Sequence, residues 1–383
     1  MITLIQEDSM LNPVIGTKRN KPPFRYDIVG SFLRPDDLKD ARLQYEQGDI
    51  TADQLAVIEY EEIAQLVEKQ KALGLQVITD GEFHRSWWHL DFFLGIQGTQ
   101  KIYLNQGTGG QDSKTRTESF QIVDKISFAK HPMLAHFQEL QQLAEDRIAK
   151  MTIPSPALFH FVEHYNGNDV YCDQEELFTD IIAVYQQAIQ AFYDAGCRYL
   201  QLDDTTWGTL CSGRHRVHLR SRGLDPDQLA EDYVRLINES IALRPDDMTI
   251  ALHVCRGNLR STWFAAGGYE PIAETLFAHA QVDAFFLEYD NERSGGFEPL
   301  RFVKDQFVVL GLVTTKHGGL ESKEMLKARI AEAAQVVDLN QLCLSTQCGF
   351  ASTEEGNMLT EEEQWDKIRL VIETANEVWT QYG

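Results

Sequence analysis

Thr249-Ile250-Ala251-Leu252-His253-Val254-Cys255 is an apolar, strand-like run that ends in an imidazole and a thiol. On a strand, side chains two apart point to the same face, so His253 and Cys255 project together while Val254 points away. Imidazole nitrogen and thiolate sulfur are preferred zinc ligands. Taken alone, the pair also reads as a buried histidine beside an inert thiol. Its meaning depends on what the rest of the chain brings to it.

Outward from this run, strand-like and helical segments alternate. Short apolar runs lie upstream at 27–32 (DIVGSF), 76–79 (QVIT), 150–153 and 199–202, and downstream at Ala284–Glu288, 307–312 and 341–345. Helical spacing fills 51–73, 175–195, 227–243, 270–280 and 322–334, with a closing helix at 360–382. In the first of these, Thr51 can cap the start, Leu55, Ile58, Ile63 and Leu66 form an apolar stripe, and Gly74 stands where a left-handed C-terminal residue belongs. The link 288–307 has no clear helix. Eight strands with mostly helical crossovers predict an α/β fold, a parallel (β/α)8 TIM barrel. The rhythm breaks at about 87–149, where Gly- and Gln-rich residues 97–112 read as a hairpin and 134–147 have helical spacing. This predicts an insertion after the second strand. Residues 1–23 read as an irregular arm, and 24–383 as one barrel domain.

A chain of 383 residues fits one such barrel. With 43% apolar residues it can fill a large core. The formal net charge of −23 repels polyanions, which argues against nucleic acid or an anionic membrane as partner. A polyanionic cofactor would need a local basic patch. No run of about 18 apolar residues spans a membrane, and the start lacks the apolar segment of a signal peptide. Six cysteines in so long a chain are not a disulfide framework. They fit a reducing cytoplasm, where clustered cysteines mean metal or catalysis.

Working residues of such barrels sit at the C-terminal ends of strands. Those ends here carry Ser31, Glu82, Asp203, His253, Cys255, Glu288, Lys316 or His317, and Cys348. Acids, thiols and imidazoles stand where a packed core would want Val, Ile and Leu. Each has a plainer reading: Glu288 paired with an arginine, Cys348 a buried thiol, Gly30-Ser31 an ordinary turn, Glu82 or Asp203 a helix cap, Lys316-His317 an exposed loop. Trp87, Trp88, Trp207 and Trp263 near strand ends could stack on a ring or be core.

In combination, Val29-Gly30-Ser31-Phe32, Asp80-Gly81-Glu82, Leu200-Gln201-Leu202-Asp203, His253-Val254-Cys255, Phe286-Leu287-Glu288 and Gln347-Cys348-Gly349 resemble the catalytic half of cobalamin-independent methionine synthases, in a single-barrel branch. The resemblance runs from about residue 24 to the end. It implies that His253, Cys255, Glu288 and Cys348 bind catalytic zinc, that Gly30 and Ser31 hold an amino acid carboxylate, and that Glu82 and Asp203 hold the amino group of homocysteine. It also implies a proton donor near the end of the seventh barrel strand, where Lys316 and His317 are the candidates; Lys316 could instead hold an anionic part of the donor.

A thiol of ordinary pKa, about 8.5, is mostly protonated at neutral pH, and its thiolate is the nucleophile. Zinc deprotonates a coordinated thiol without oxidising it. One imidazole, two thiolates and a carboxylate give the site a net charge of about −1. Glu288, an oxygen ligand among N and S, is the ligand expected to yield to substrate sulfur. The methyl donor is expected to be a methylated tetrahydrofolate or a methylcorrinoid protein. By this resemblance no counterpart is expected of the N-terminal barrel that the long enzymes use for a polyglutamylated folate, and Asp204-Thr205 stands where they have Glu-Pro after Asp203. Other readings are a zinc barrel enzyme in which a coenzyme thiol opens an epoxide, a non-catalytic zinc-binding protein, and a metal-free decarboxylase.

Overall fold

The computed structural model describes residue 19, residues 21–104 and residues 117–379. Most of the expected arm, residues 1–18 and 20, part of the expected hairpin, 105–112, and the end of the expected closing helix, 380–382, lie outside them.

Seven parallel strands form one curled sheet: β1 (Val77–Ile78), then β4 (Ile148–Pro154), β5 (Tyr199–Asp204), β6 (Thr249–Val254), β7 (Ala284–Glu288), β8 (Phe307–Val313) and β9 (Leu342–Thr346), each hydrogen-bonded to the next. Between β1 and β4, the antiparallel ribbon β2 (Gln97–Tyr103) and β3 (Glu118–Ser127) forms the insertion. The helices are α1 (Asp36–Gln47), α2 (Ala52–Ala72), α3 (Leu90–Phe93), α4 (Pro132–Ala144), α5 (Pro156–Asn166), α6 (Gln174–Asp194), α7 (Thr206–Cys211), α8 (Gly213–Ser221), α9 (Pro226–Ile241), α10 (Ala273–His279), α11 (Lys323–Ala333) and α12 (Glu361–Val378). Two short 3-10 turns, Glu292–Ser294 and Glu298–Phe302, replace a helix in the link before β8.

The first expected strand, 27–32, does not form a ladder. It closes the barrel through two parallel bridges, Tyr26 to Leu344 on β9 and Ser31 to Gly81 just beyond β1. Its backbone is diverted because the Asp27 carboxylate takes the Ile28 N–H and Gly30 turns at φ 151°. Polar side chains fasten it instead. The Thr79 hydroxyl donates to Gly30 O at 2.6 Å, Gln201 Nε2 to Val29 O at 2.8 Å, and Lys150 Nζ to Ile28 O at 2.6 Å.

Local sequence explains the helices. Thr51 and Gln54 form a reciprocal capping box at the start of α2, and Gly74 follows it at φ 87°. On α6, Leu177, Ile181, Val184, Ala188 and Phe192 recur at helical spacing and are buried. The main core lies between such faces and the sheet.

A second cluster fills the barrel interior: Phe24 and Val29 from the closing segment, Val77, Tyr199, Ala251, Ala284, Phe286, Val309 and Cys343 from the strands. Period-two alternation then dictates what stands above it. Tyr199 is followed on the same face by Gln201 and Asp203, Ala251 by His253, and Phe286 by Glu288. Low in the barrel the interior is mostly apolar, with Lys150 and Asp27 forming a buried pair there, and at its C-terminal end it is ionisable.

Candidate active site

His253, Cys255, Glu288 and Cys348 are all buried, and one ligand atom from each lies within 4.8 Å of all the others. The Cys255 and Cys348 sulfurs are 3.7 Å apart. Four ligands at ordinary Zn–N and Zn–S lengths in a tetrahedron stand about 3.3–3.8 Å from one another, so this spacing fits one zinc ion. Both ring nitrogens of His253 are buried without a hydrogen-bond partner. Such an orphaned imidazole is costly unless something outside the protein satisfies it.

The charges around it are balanced. Mutual contact with Cys348, together with burial, drives the Cys255 thiol far above its ordinary range. Burial works against charge on His253, but Cys255, Asp203 and Glu288 outweigh it and hold the imidazole up. Burial likewise opposes charge on Glu288, yet Arg293, Lys316 and His253 bring its carboxyl below the usual range. Arg293 Nη2 lies 2.5 Å from Glu288 Oε2 and 2.8 Å from the Asp290 carboxylate, while the Arg256 N–H reaches Glu288 Oε1 at 2.8 Å. The expected arginine partner of Glu288 therefore exists, in addition to the cluster with sulfur and imidazole. Neither Arg293 nor Asp290 stood out in the sequence, because the link between β7 and β8 that bears them has no periodicity.

Beside this cluster lie the residues expected to hold an amino acid. Asp203 is registered opposite His253, and Gln201 Nε2 donates to it at 2.7 Å. Glu82 is buried at φ 62°, takes the Thr152 hydroxyl at 3.0 Å on Oε1, and has no partner on Oε2. Burial pushes its carboxyl up to about 7, with Asp203 adding to the effect and Arg85 and Arg34 opposing it. A non-glycine residue in the left-handed region is a strained position of the kind that collects at functional sites. The Ser31 hydroxyl accepts the Ala351 N–H at 3.3 Å, and a Cβ on Gly349 would lie 1.9 Å from that oxygen. Only glycine lets the loop after Cys348 close on Ser31. Neither acid is a helix cap; just ahead of α7, whose N-cap is Thr205, the Asp204 carboxylate takes the Thr206 N–H at 2.5 Å.

Lys316 and His317 part company. Lys316 is buried, with Nζ donating to Asn258 Oδ1 at 3.0 Å and Thr262 O at 3.1 Å; His317 is exposed. Asn258 and Asn357 link Lys316 to Thr315 and to the carbonyl of Gly349, so the loops after β6, β8 and β9 are one network. Of the four tryptophans near strand ends, Trp207 is wholly buried core, Trp87 and Trp88 are half-buried, and Trp263 is exposed over the Arg293 guanidinium at 5.0 Å.

Comparison with known proteins bears on this geometry. Residues 25–376 match the family described as "Cobalamin-independent synthase, Catalytic domain". The uncharacterized protein YxjH of Bacillus subtilis is 51% identical over 94% of this chain and 96% of its own length. A crystal structure from Listeria monocytogenes, described as a candidate vitamin-B12-independent methionine synthase, aligns over 95% of this chain and all of its own with TM-score 0.77 at 44% identity. The 5-methyltetrahydropteroyltriglutamate–homocysteine methyltransferase of Bacillus mycoides is 22% identical over 92% of this chain, which covers 44% of that longer enzyme. With its barrel and with residues 25–376 matched, the chain belongs to the catalytic-domain family of cobalamin-independent methionine synthases, enzymes of methyl transfer.

Proposed function

We propose that the protein is a zinc-dependent methyltransferase that converts homocysteine to methionine with a methylated tetrahydrofolate as donor. The observation that carries this is the convergence of His253, Cys255, Glu288 and Cys348 around an imidazole with no partner of its own. The family is cobalamin-independent by description, which gives no support to a methylcorrinoid protein as partner. The free cysteines fit a reducing compartment such as the cytoplasm.

His253, Cys255, Glu288 and Cys348 would hold the zinc, which would supply a Lewis acid that keeps the substrate sulfur as thiolate at neutral pH. Gly30 and Ser31 receive the carboxylate, and Glu82 with Asp203 the ammonium group, which gives a charged partner to two buried acids. Glu288 is the ligand suited to yield, since the Arg256 N–H and Arg293 already offer its oxygens alternative partners. The sulfur lone pair attacks the methyl carbon as the bond from that carbon to the donor breaks, and the leaving group takes a proton. We assign proton delivery to the exposed His317 and assign Lys316 to holding 257–262 in place.

The test is methionine formation by the zinc-loaded protein from homocysteine, with mono- and triglutamyl methyltetrahydrofolate, S-methylmethionine and methylcobalamin as donors. Turnover with a folate donor is expected. Turnover with the other donors alone would reject the folate, and turnover of a thiol lacking the amino and carboxyl groups at equal rate would reject homocysteine.

A further inference from the structure

Arg293 is fixed in place more firmly than a loop arginine requires. It lies in the 3-10 turn Glu292–Ser294, where its N–H donates to the Asn291 side chain at 3.0 Å and its carbonyl takes the Gly267 N–H at 2.9 Å. Gly267 is held in turn by the Arg256 side chain, which donates to its carbonyl at 2.5 Å. The Arg293 side chain is 4% exposed, and the Trp263 ring covers its guanidinium.

So well held a group is nevertheless only partly used. Nη2 alone serves two carboxylates, Glu288 Oε2 at 2.5 Å and Asp290 Oδ1 at 2.8 Å. Nε and Nη1 are buried without a hydrogen-bond partner among the described residues, and the Asp290 contact is an ion pair without hydrogen-bond alignment. A guanidinium offers a planar fork of N–H donors, and leaving several of them buried and unpaired is costly. An ion pair that served stability alone would present a two-pronged edge to its carboxylate. Glu288 stands between two sets of partners: one carboxylate oxygen lies among His253, Cys255 and Cys348, while Arg293 and the Arg256 N–H hold the same group from behind.

We propose that Arg293, braced by Asp290, is the positioning residue that receives the Glu288 carboxylate when a substrate thiolate takes its place on the metal. This rests on the zinc reading above and adds to it where the displaced ligand goes. The bond from the metal to the Glu288 oxygen breaks, a bond to sulfur forms, and the thiol proton leaves to solvent. The carboxylate turns onto the unused donors of Arg293 in a two-pronged pair. One anion replaces another, so the charge at the metal is unchanged. Because the Arg293 backbone is tied at both its N–H and its carbonyl, the movement falls to the Glu288 side chain, and Asp290 keeps the guanidinium from following it.

The test uses the full-length protein loaded with Co(II) in place of zinc, with L-homocysteine as probe and visible absorption as readout. In the wild type the sulfur-to-metal charge-transfer band should grow by about half as homocysteine is added, two thiolates becoming three. Arg293→Lys keeps the charge and loses the fork. It should bind Co(II) within about twofold of the wild type yet need about tenfold more homocysteine for the same spectral change. X-ray absorption of the zinc-loaded proteins should show an oxygen neighbour exchanged for sulfur in the wild type and retained in Arg293→Met at the homocysteine concentration that saturates the wild type. Should Arg293→Met fail to fold by circular dichroism, Arg293→Lys decides. If the folded variants respond at wild-type concentrations, Arg293 is a plain ion-pair partner and the proposal falls, while the metal reading stands. If Arg293→Lys weakens Co(II) and homocysteine binding by the same factor, Arg293 only supports the shape of the site, and the proposal is again overturned. If homocysteine leaves the wild-type spectrum unchanged, the thiol-activation reading falls and this inference with it.

Discussion

Glu82 concentrates the site's electrostatics in one side chain. Its backbone is left-handed, one carboxylate oxygen is unpartnered, and burial pushes its carboxyl up to about 7. The folded protein therefore holds a proton there that the unfolded chain has released above about 4.5. The stability this contributes is fully present below about pH 4.5 and is lost as pH rises through 7. Thermal unfolding between pH 5 and 8 should show stability falling with pH in the wild type and falling less in Glu82→Gln. The slope should not vanish, because burial also raises Asp203, and raises Asp204 to about 6. Ligand binding should show the opposite sense: methionine affinity should rise as pH rises through 7, when Glu82 becomes the anion its ammonium group needs, and Glu82→Gln should lose that rise. An unchanged pH profile in the variant would remove Glu82 from the amino-group site.

Among the elements, the closing segment 27–32 took a form that the sequence did not reveal. Its apolar run reads as a strand, but Asp27, Gly30 and Ser31 direct its hydrogen bonds elsewhere, and side-chain bonds from β4, β5 and Thr79 replace the ladder. The strands of the parallel sheet were legible because each is an apolar run between turns, and β6 and β7 keep the expected bounds; β3, at Glu118–Ser127, lies beyond the expected hairpin. The site's strand ends were legible for the same reason: a Glu or His inside such a run is conspicuous. Arg293, Asp290 and the Asn258–Asn357 network were not, since polar residues in loops carry no pattern until the fold juxtaposes them. α8 was missed because its only buried residue is Leu219, too little for an apolar stripe. Below the site, Lys150 is fully buried between Asp27 and the rings of Tyr199 and Phe286, and it holds the closing segment. Lys150→Met would leave the Asp27 carboxyl buried with only Tyr199 and its own backbone, at a cost of about 3 kcal/mol. Urea unfolding measures this. A loss below about 0.5 kcal/mol would mean that the pair does not anchor the segment.

At the scale of the whole molecule, the barrel stacks an apolar interior beneath a ring of ionisable groups drawn from distant parts of the chain. No helix among the described residues is long and apolar enough to cross a membrane. Cys255 and Cys348, 93 positions apart in the chain, are brought to a 3.7 Å contact by two strand ends and the network around Asn258. Nothing local demands that closeness; one shared cation would account for it. The decisive measurement is metal content by elemental analysis of protein purified without chelator, compared with Cys348→Ser. About one zinc per chain in the wild type, and little in a variant that still folds by circular dichroism, is the predicted result. A wild type that binds no zinc even after reconstitution, or a folded Cys348→Ser protein that retains a full equivalent, would contradict the account.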